Sequence, residues 1–237
     1  MAGRGARRPS LAAEAGAYAE AILAAVLVAL FFRTWVVEAF HIPTGSMEPG
    51  LLPGDHIVVD KFLYGGSAGP WGRLLPQREP SRRDVVVFRS PAEPARDLVK
   101  RFVGLPGETV EISAKRLFVD GAPHEEAYVV HRDPDVLPRS PDVPKALATR
   151  DHFGPVRLGG GEYLALGDNR DDSQDSRVFG PVPRSHLKGR AVLVYWSFDA
   201  GAAGEFRGRG AGLRRFLDNA LHFFERTRWT RTGRAVR

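Results

Sequence analysis

The spacing of apolar residues changes once along the chain, near residue 37. Residues 21–32 are twelve consecutive apolar positions. As a helix they measure about 18 Å, short of the roughly 30 Å hydrocarbon core of a bilayer. Extended over 17–37, the helix reaches about 31 Å, with Glu20 and Arg33 about one turn from its ends, where long side chains reach the headgroups. The pattern predicts one transmembrane helix over 15–37, preceded by a short tail, 1–14. A buried core helix and a cleavable signal peptide are the alternatives. Against the latter, Phe32-Arg33-Thr34-Trp35-Val36-Val37 follows the apolar run where a small-x-small site is needed. Arg4, Arg7 and Arg8 precede the helix and no comparable cluster follows closely, which puts the N-terminus in the cytoplasm and the rest outside.

Beyond residue 37, short runs rich in Val and Ile take over, at 55–60, 84–88, 98–103, 109–112, 116–119, 163–166 and 191–196. Runs of this length between Gly and Pro read as strands, so the exoplasmic part is predicted to be mainly β. Asp120-Gly121 signals a tight turn, and Gly159-Gly160-Gly161 another before the next strand. The proline-rich stretch 132–155 reads as an irregular, mobile excursion.

A helical period returns at the end of the chain. Leu213, Phe216, Leu217, Ala220, Leu221 and Phe224 fall on one helix face, and Arg214, Arg215, Arg226, Arg228 and Trp229 border or follow it. This basic amphipathic tail, 212–237, either lies on an anionic membrane surface or packs its stripe against the β core.

The charge is concentrated in that tail. The chain carries a formal net charge of +6, whereas residues 207–237 alone hold nine Arg against Asp218 and Glu225, so the preceding part sums to −1. A nucleic-acid-reading face spreads its charge through the folded domain, and no helix-turn-helix, zinc or RNA-binding signature occurs; no nucleic-acid partner is expected. With no Cys, disulfide scaffolds, thiolate metal sites and cysteine nucleophiles are excluded.

Three segments combine reactive side chains with Gly and Pro: Pro43-Thr44-Gly45-Ser46-Met47-Glu48-Pro49, Lys100-Arg101-Phe102-Val103-Gly104-Leu105-Pro106-Gly107, and Gly167-Asp168-Asn169-Arg170-Asp171-Asp172-Ser173-Gln174-Asp175-Ser176-Arg177. Each alone has a structural explanation. Ser46 reads as a turn residue. Lys100 shares a strand face with Leu98 and Phe102, as either a snorkelling edge residue or a desolvated amine competent as a general base. The acidic segment departs from the EF-hand ligand series and reads as a salt-bridged turn.

Together, and with Gly54-Asp55-His56-Ile57-Val58-Val59-Asp60-Lys61, these segments resemble the bacterial type I signal peptidases over about 40–198. Those are membrane-anchored Ser/Lys proteases that remove signal peptides from exported proteins. The resemblance implies Ser46 as nucleophile and Lys100 as general base, with the Ser46 N–H and the Thr44 hydroxyl holding the oxyanion. Ser173 matches the hydroxyl that orients the lysine, Asp175 and Arg177 a supporting ion pair, and Asp168 and Arg170 further structural positions. Thr44 stands where Ser is frequent in the family, Asp172 where Asn is, and Gly50 where Thr is.

The resemblance also implies a β-rich catalytic core from 38–107 and 163–211, with a smaller β subdomain, 108–162, inserted. It implies no metal and no organic cofactor. Its partners are preprotein signal peptides, the lipid bilayer and the export machinery, and its site is the inner (plasma) membrane, with a single pass and the catalytic domain on the periplasmic side. Substrate would add an extended strand and present small residues, Ala-x-Ala, to two shallow pockets. Phe40, Ile42, Met47, Leu51 and Val99 are the candidate pocket residues.

Two other functions compete. A Ser/His/Asp hydrolase could use His41, five residues before Ser46, but a Gly-x-Ser-x-Gly elbow needs glycine at Thr44 and Glu48. A non-enzymatic, membrane-anchored β-rich binding protein would leave Ser46 and Lys100 far apart.

Overall fold

The computed structural model describes residues 11–31, 36–61, 78–144, 147–199 and 211–237. Helix α1 (Leu11–Phe31) precedes β1 (Val37–His41), β2 (Asp55–Asp60), β3 (Val85–Arg89), β4 (Asp97–Gly104), β5 (Thr109–Ser113), β6 (Arg116–Val119), β7 (Ala122–His124), β8 (Phe153–Arg157) and β9 (Glu162–Leu166). A short α2 (Ser176–Phe179), β10 (Val182–Pro183), the long β11 (Leu187–Ser197), α3 (Ala211–Leu221), α4 (Phe223–Arg226) and β12 (Arg234–Ala235) complete the order.

The principal sheet runs β1-β2-β11-β3-β4-β9-β10, with β12 added to β11. Its centre is covered on both faces, which is why Val85-Val86-Val87-Phe88 is apolar without a break. Val85 and Val87 pack with Ile42, Met47 and Ile57, while Val86 and Phe88 pack with Phe102, Tyr163 and Leu187. The second sheet, β7-β6-β5-β8, falls within 109–157. Val103, Leu164 and Leu166 of the principal sheet share a third cluster with Val110, Ile112 and Leu117 of the second, so the two sheets are joined by apolar contact. Between β6 and β7, Asp120 and Gly121 both have positive φ, 49° and 78°, as a two-residue hairpin of primed type requires.

Three expectations change. Val37, assigned to the end of the anchor, is the first residue of β1 and pairs with Asp60. Among the described residues, no helix is long and apolar enough to cross a membrane. The apolar part of α1 that is described, 21–31, measures about 17 Å, with Glu20 interrupting it on its N-terminal side. Arg33 and the first ten residues, with Arg4, Arg7 and Arg8, lie outside the described residues. Finally, the stretch expected to be irregular ends in a strand, β8, and its turns are tied by charge. Arg150 reaches Asp133 and Asp151, each at 2.8 Å, and Lys115 reaches Asp171 at 3.3 Å.

The tail divides between its two alternatives. Residues 222–237 return to the core: β12 pairs with β11, and Val236 packs against the Ile42 cluster. In α3, by contrast, Leu213, Phe216, Leu217 and Leu221 are exposed.

Candidate active site

Edge strand β1 and the first half of β4 line a cleft of about 580 Å³. Ser46 enters it on a single 3₁₀ turn, Gly45–Met47, approached from extended Thr44 and closed by the Glu48 N–H donating to the Gly45 carbonyl at 3.0 Å. Ile42 and Met47, on either side of the loop, are buried in one apolar cluster, and they fix the turn so that Ser46 faces the cleft. Lys100, in β4, is only 4% exposed, and its Nζ donates to the Ser46 Oγ at 2.5 Å. Burial pulls the lysine down to about 8; Arg177 and Arg96 act in the same direction, while Asp175 and Asp168 oppose them.

The segment 167–177 supports this pair from behind. Asn169 donates its backbone N–H to the Ser46 carbonyl and its Nδ2 to the Gly45 carbonyl, both at 3.2 Å, so it holds the Ser46 turn directly. At Gly167 a Cβ would stand 2.5 Å from the Ser46 carbonyl oxygen and 2.6 Å from the Ser173 Cβ, a space that only glycine leaves open. Asp175 is fully buried and receives Arg177 in a fork of 2.9 and 2.7 Å. Burial pushes its carboxyl up, but the arginine and the Gly167 N–H outweigh burial and hold it below the usual range. Ser173 is placed against Gly167 and makes no hydrogen bond to Lys100.

Asp168 and Arg170 do not pair with each other. Asp168 takes a bidentate pair from Arg101, at 2.8 and 2.7 Å, and Arg170 pairs with Glu126 at 2.6 Å. The Arg101–Asp168 pair also accounts for Gly50: a Cβ there would lie 2.9 Å from the Asp168 carboxylate and 3.3 Å from the Met47 carbonyl. Of the five pocket candidates, Phe40, Ile42, Met47 and Val99 line the cleft, whereas Leu51 is buried in the core away from it. Thr44 lines the cleft and its hydroxyl does not cap the turn. His41 also borders the cleft, but its ring packs on His56, 4.9 Å between centroids.

Sequence reasoning gave no role to Asn169 and Arg101, passed over Gln174 and Phe179, and noted Asp172 only as a departure from the family, although the last three line the cleft. Arg101 did carry a signal, since Val99 and Val103 share its strand face and mark it as a buried cation needing an acid.

A serine hydroxyl bound to a desolvated lysine amine has the parts of nucleophilic catalysis, a nucleophile and a base in hydrogen-bond contact. The family described as Signal peptidase, peptidase S26, matches residues 15–196. Signal peptidase I of Pseudomonas aeruginosa is 35% identical over 206 residues, covering 76% of this chain and 72% of that protein. The probable signal peptidase I-2 of a Synechocystis species is 36% identical over 180 residues, covering 74% and 70%. A crystal structure of a signal peptidase I from Enterococcus faecalis, 31% identical, covers 48% of this chain and 97% of its own, with a TM-score of 0.37. From the family match and the relatives, the chain is a serine endopeptidase. It belongs to the signal peptidase family, peptidase S26.

Proposed function

We propose that the chain removes N-terminal signal peptides from exported preproteins, cutting after small-x-small (Ala-x-Ala) sites with Ser46 as nucleophile and Lys100 as base. The contact between the Ser46 Oγ and a nearly inaccessible Lys100 Nζ carries this reading. Neutral Lys100 accepts the hydroxyl proton as Ser46 attacks the scissile carbonyl. The Ser46 N–H and the Thr44 hydroxyl hold the resulting oxyanion. Lys100 then gives its proton to the departing amine, and afterwards draws one from the water that hydrolyses the acyl-enzyme.

Substrate binds as an added strand. Strand β1 is a sheet edge, and β9 pairs with β4 only from Arg101 onward, so residues 97–99 keep an edge facing the cleft. Peptide main chain can pair there while Phe40, Ile42, Met47 and Val99 restrict the side chains to small ones.

The enzyme is anchored by its N-terminal helix, with the catalytic part on the periplasmic side of the inner membrane. Ile22, Leu23, Val26, Leu27, Leu30 and Phe31 of α1 are all exposed, and so are Tyr18 and Val28 on the opposite side, so exposed apolar and aromatic side chains surround the helix rather than forming one stripe. Lipid is the solvent suited to such a surface.

Incubation of the detergent-solubilised chain with a preprotein, and sequencing of the new N-terminus, tests the proposal. Wild type cuts after a small-x-small site, and Ser46→Ala and Lys100→Met, both folded, each abolish the cut, because nucleophile and base act as one unit. Normal turnover by either variant overturns the mechanism.

A further inference from the structure

Helix α3 lies in a chain segment, 207–237, of net charge +7, yet it presents apolar side chains to the outside. Leu213 is 65% exposed, Phe216 68%, Leu217 50% and Leu221 82%, all on one face. Phe224 continues the face at 75%, and Trp229 stacks on it, with ring centroids 6.1 Å apart. The helix is nevertheless fixed in place, since Phe223 of α4 stacks on Trp196 of β11, 5.9 Å between ring centroids.

Its position bears on the cleft. A groove of about 450 Å³ between α3 and the sheet is lined by Phe216, Ala220, Phe223, Trp196 and His41. His41 also lines the catalytic cleft. It closes β1, whose first residue, Val37, lies about 13 Å away and six positions after Phe31, the last residue of α1 that is described. The groove under the exposed face therefore adjoins the cleft through His41.

We infer that α3 and the aromatic pair Phe224 and Trp229 dock on an anionic bilayer surface and hold the cleft against it. The inference rests on the membrane-anchored protease proposed above. Charge selects the occupant. Arg214 and Arg215 lie within the helix and Arg207 and Arg209 precede it, an arrangement that attracts acidic headgroups while the leucines and phenylalanines enter the acyl boundary. A second copy would bring two segments of the same sign together.

The chain lacks Cys, so Leu217→Cys carries a single environment-sensitive fluorophore at a solvent-exposed position. The full chain is reconstituted in phosphatidylcholine vesicles with and without phosphatidylglycerol, its fold checked by circular dichroism. With phosphatidylglycerol the emission shifts to the blue and quenching by iodide falls severalfold; raised salt, or Arg214→Glu with Arg215→Glu, reverses both. Equal quenching in the two lipids overturns the docking. Protection that follows the protein-to-lipid ratio instead of lipid charge overturns it in favour of a second copy. The readout needs no turnover and is unchanged by Ser46→Ala, so failure of docking and failure of the protease proposal are separate results.

Discussion

At the scale of single residues, the chemistry turns on one proton. In the proposed mechanism Lys100 works as a base only when neutral, and burial draws it to about 8 from the ordinary ~10.4. Close to half the molecules are then competent at pH 8, whereas an unperturbed amine would be neutral in well under about 1%. Loss of the proton is activating, so initial rates rise with pH through about 8 and level off above it. An ascending limb that follows histidine titration and survives Lys100→Met would move the base elsewhere. Thr44→Ala is expected to lower kcat by roughly 10- to 1,000-fold with KM little changed, the range for one oxyanion donor, and Thr44→Ser to restore most of it. An unaltered kcat removes the hydroxyl from that role. Ser46 and Lys100 could be singled out from sequence only through the family resemblance of their segments taken together, since alone each had a structural explanation, and their contact could not be read at all. The partner of Asp168 was hidden for a related reason. Arg101 stands opposite Leu166 in the β4–β9 ladder, and only that register brings it to the acid two residues further on.

At the scale of elements, strands with dense Val and Ile were legible, and those held by other forces were not. The runs at 55–60, 109–112 and 116–119 became β2, β5 and β6 within a residue of their expected ends. Strand β1 has Glu38 and His41 in a five-residue edge, β8 contains Gly154-Pro155, and β10 and β12 are two residues long; none has an apolar period to read. The basic tail misled in another way, since its arginines serve the core as well as any surface. Arg231 donates to the Gly50 carbonyl at 2.9 Å and pairs with buried Asp55, while Arg228 holds the Pro53 carbonyl at 2.9 Å, so the tail grips the loop that follows Ser46. Burial pushes the Asp55 carboxyl up, but Arg231, the Ser197 hydroxyl and the Leu52 N–H together hold it below the usual range. The resulting stability is present above about pH 4 and is lost as the pH falls through the lowered value. Arg231→Ala strands that carboxylate and is expected to cost about 3 kcal/mol near neutrality. Thermal unfolding in detergent checks this: the deficit should shrink on acidification, and an unchanged Tm at neutral pH removes the clamp.

At the scale of the whole molecule, the question is which side of a bilayer each end occupies. Arg4, Arg7 and Arg8 stand before α1, and the cleft is built from residues after it, so the proposed anchor divides basic tail from catalytic sheet. The positive-inside rule assigns the first to the cytoplasm. The second basic segment, after residue 206, does not contradict this, because long exoplasmic domains translocate largely regardless of their charge. Since the chain has no Cys, single substitutions report topology without background. In intact spheroplasts, a membrane-impermeant maleimide should label Arg139→Cys, whose native side chain is 56% exposed, and should reach Gly5→Cys only after permeabilisation. Alkaline carbonate should leave both variants in the membrane pellet, since a spanning helix is held by burial rather than by charge. Release into the supernatant would remove the anchor, and the opposite labelling pattern would put the cleft in the cytoplasm, where no exported substrate presents its cut site.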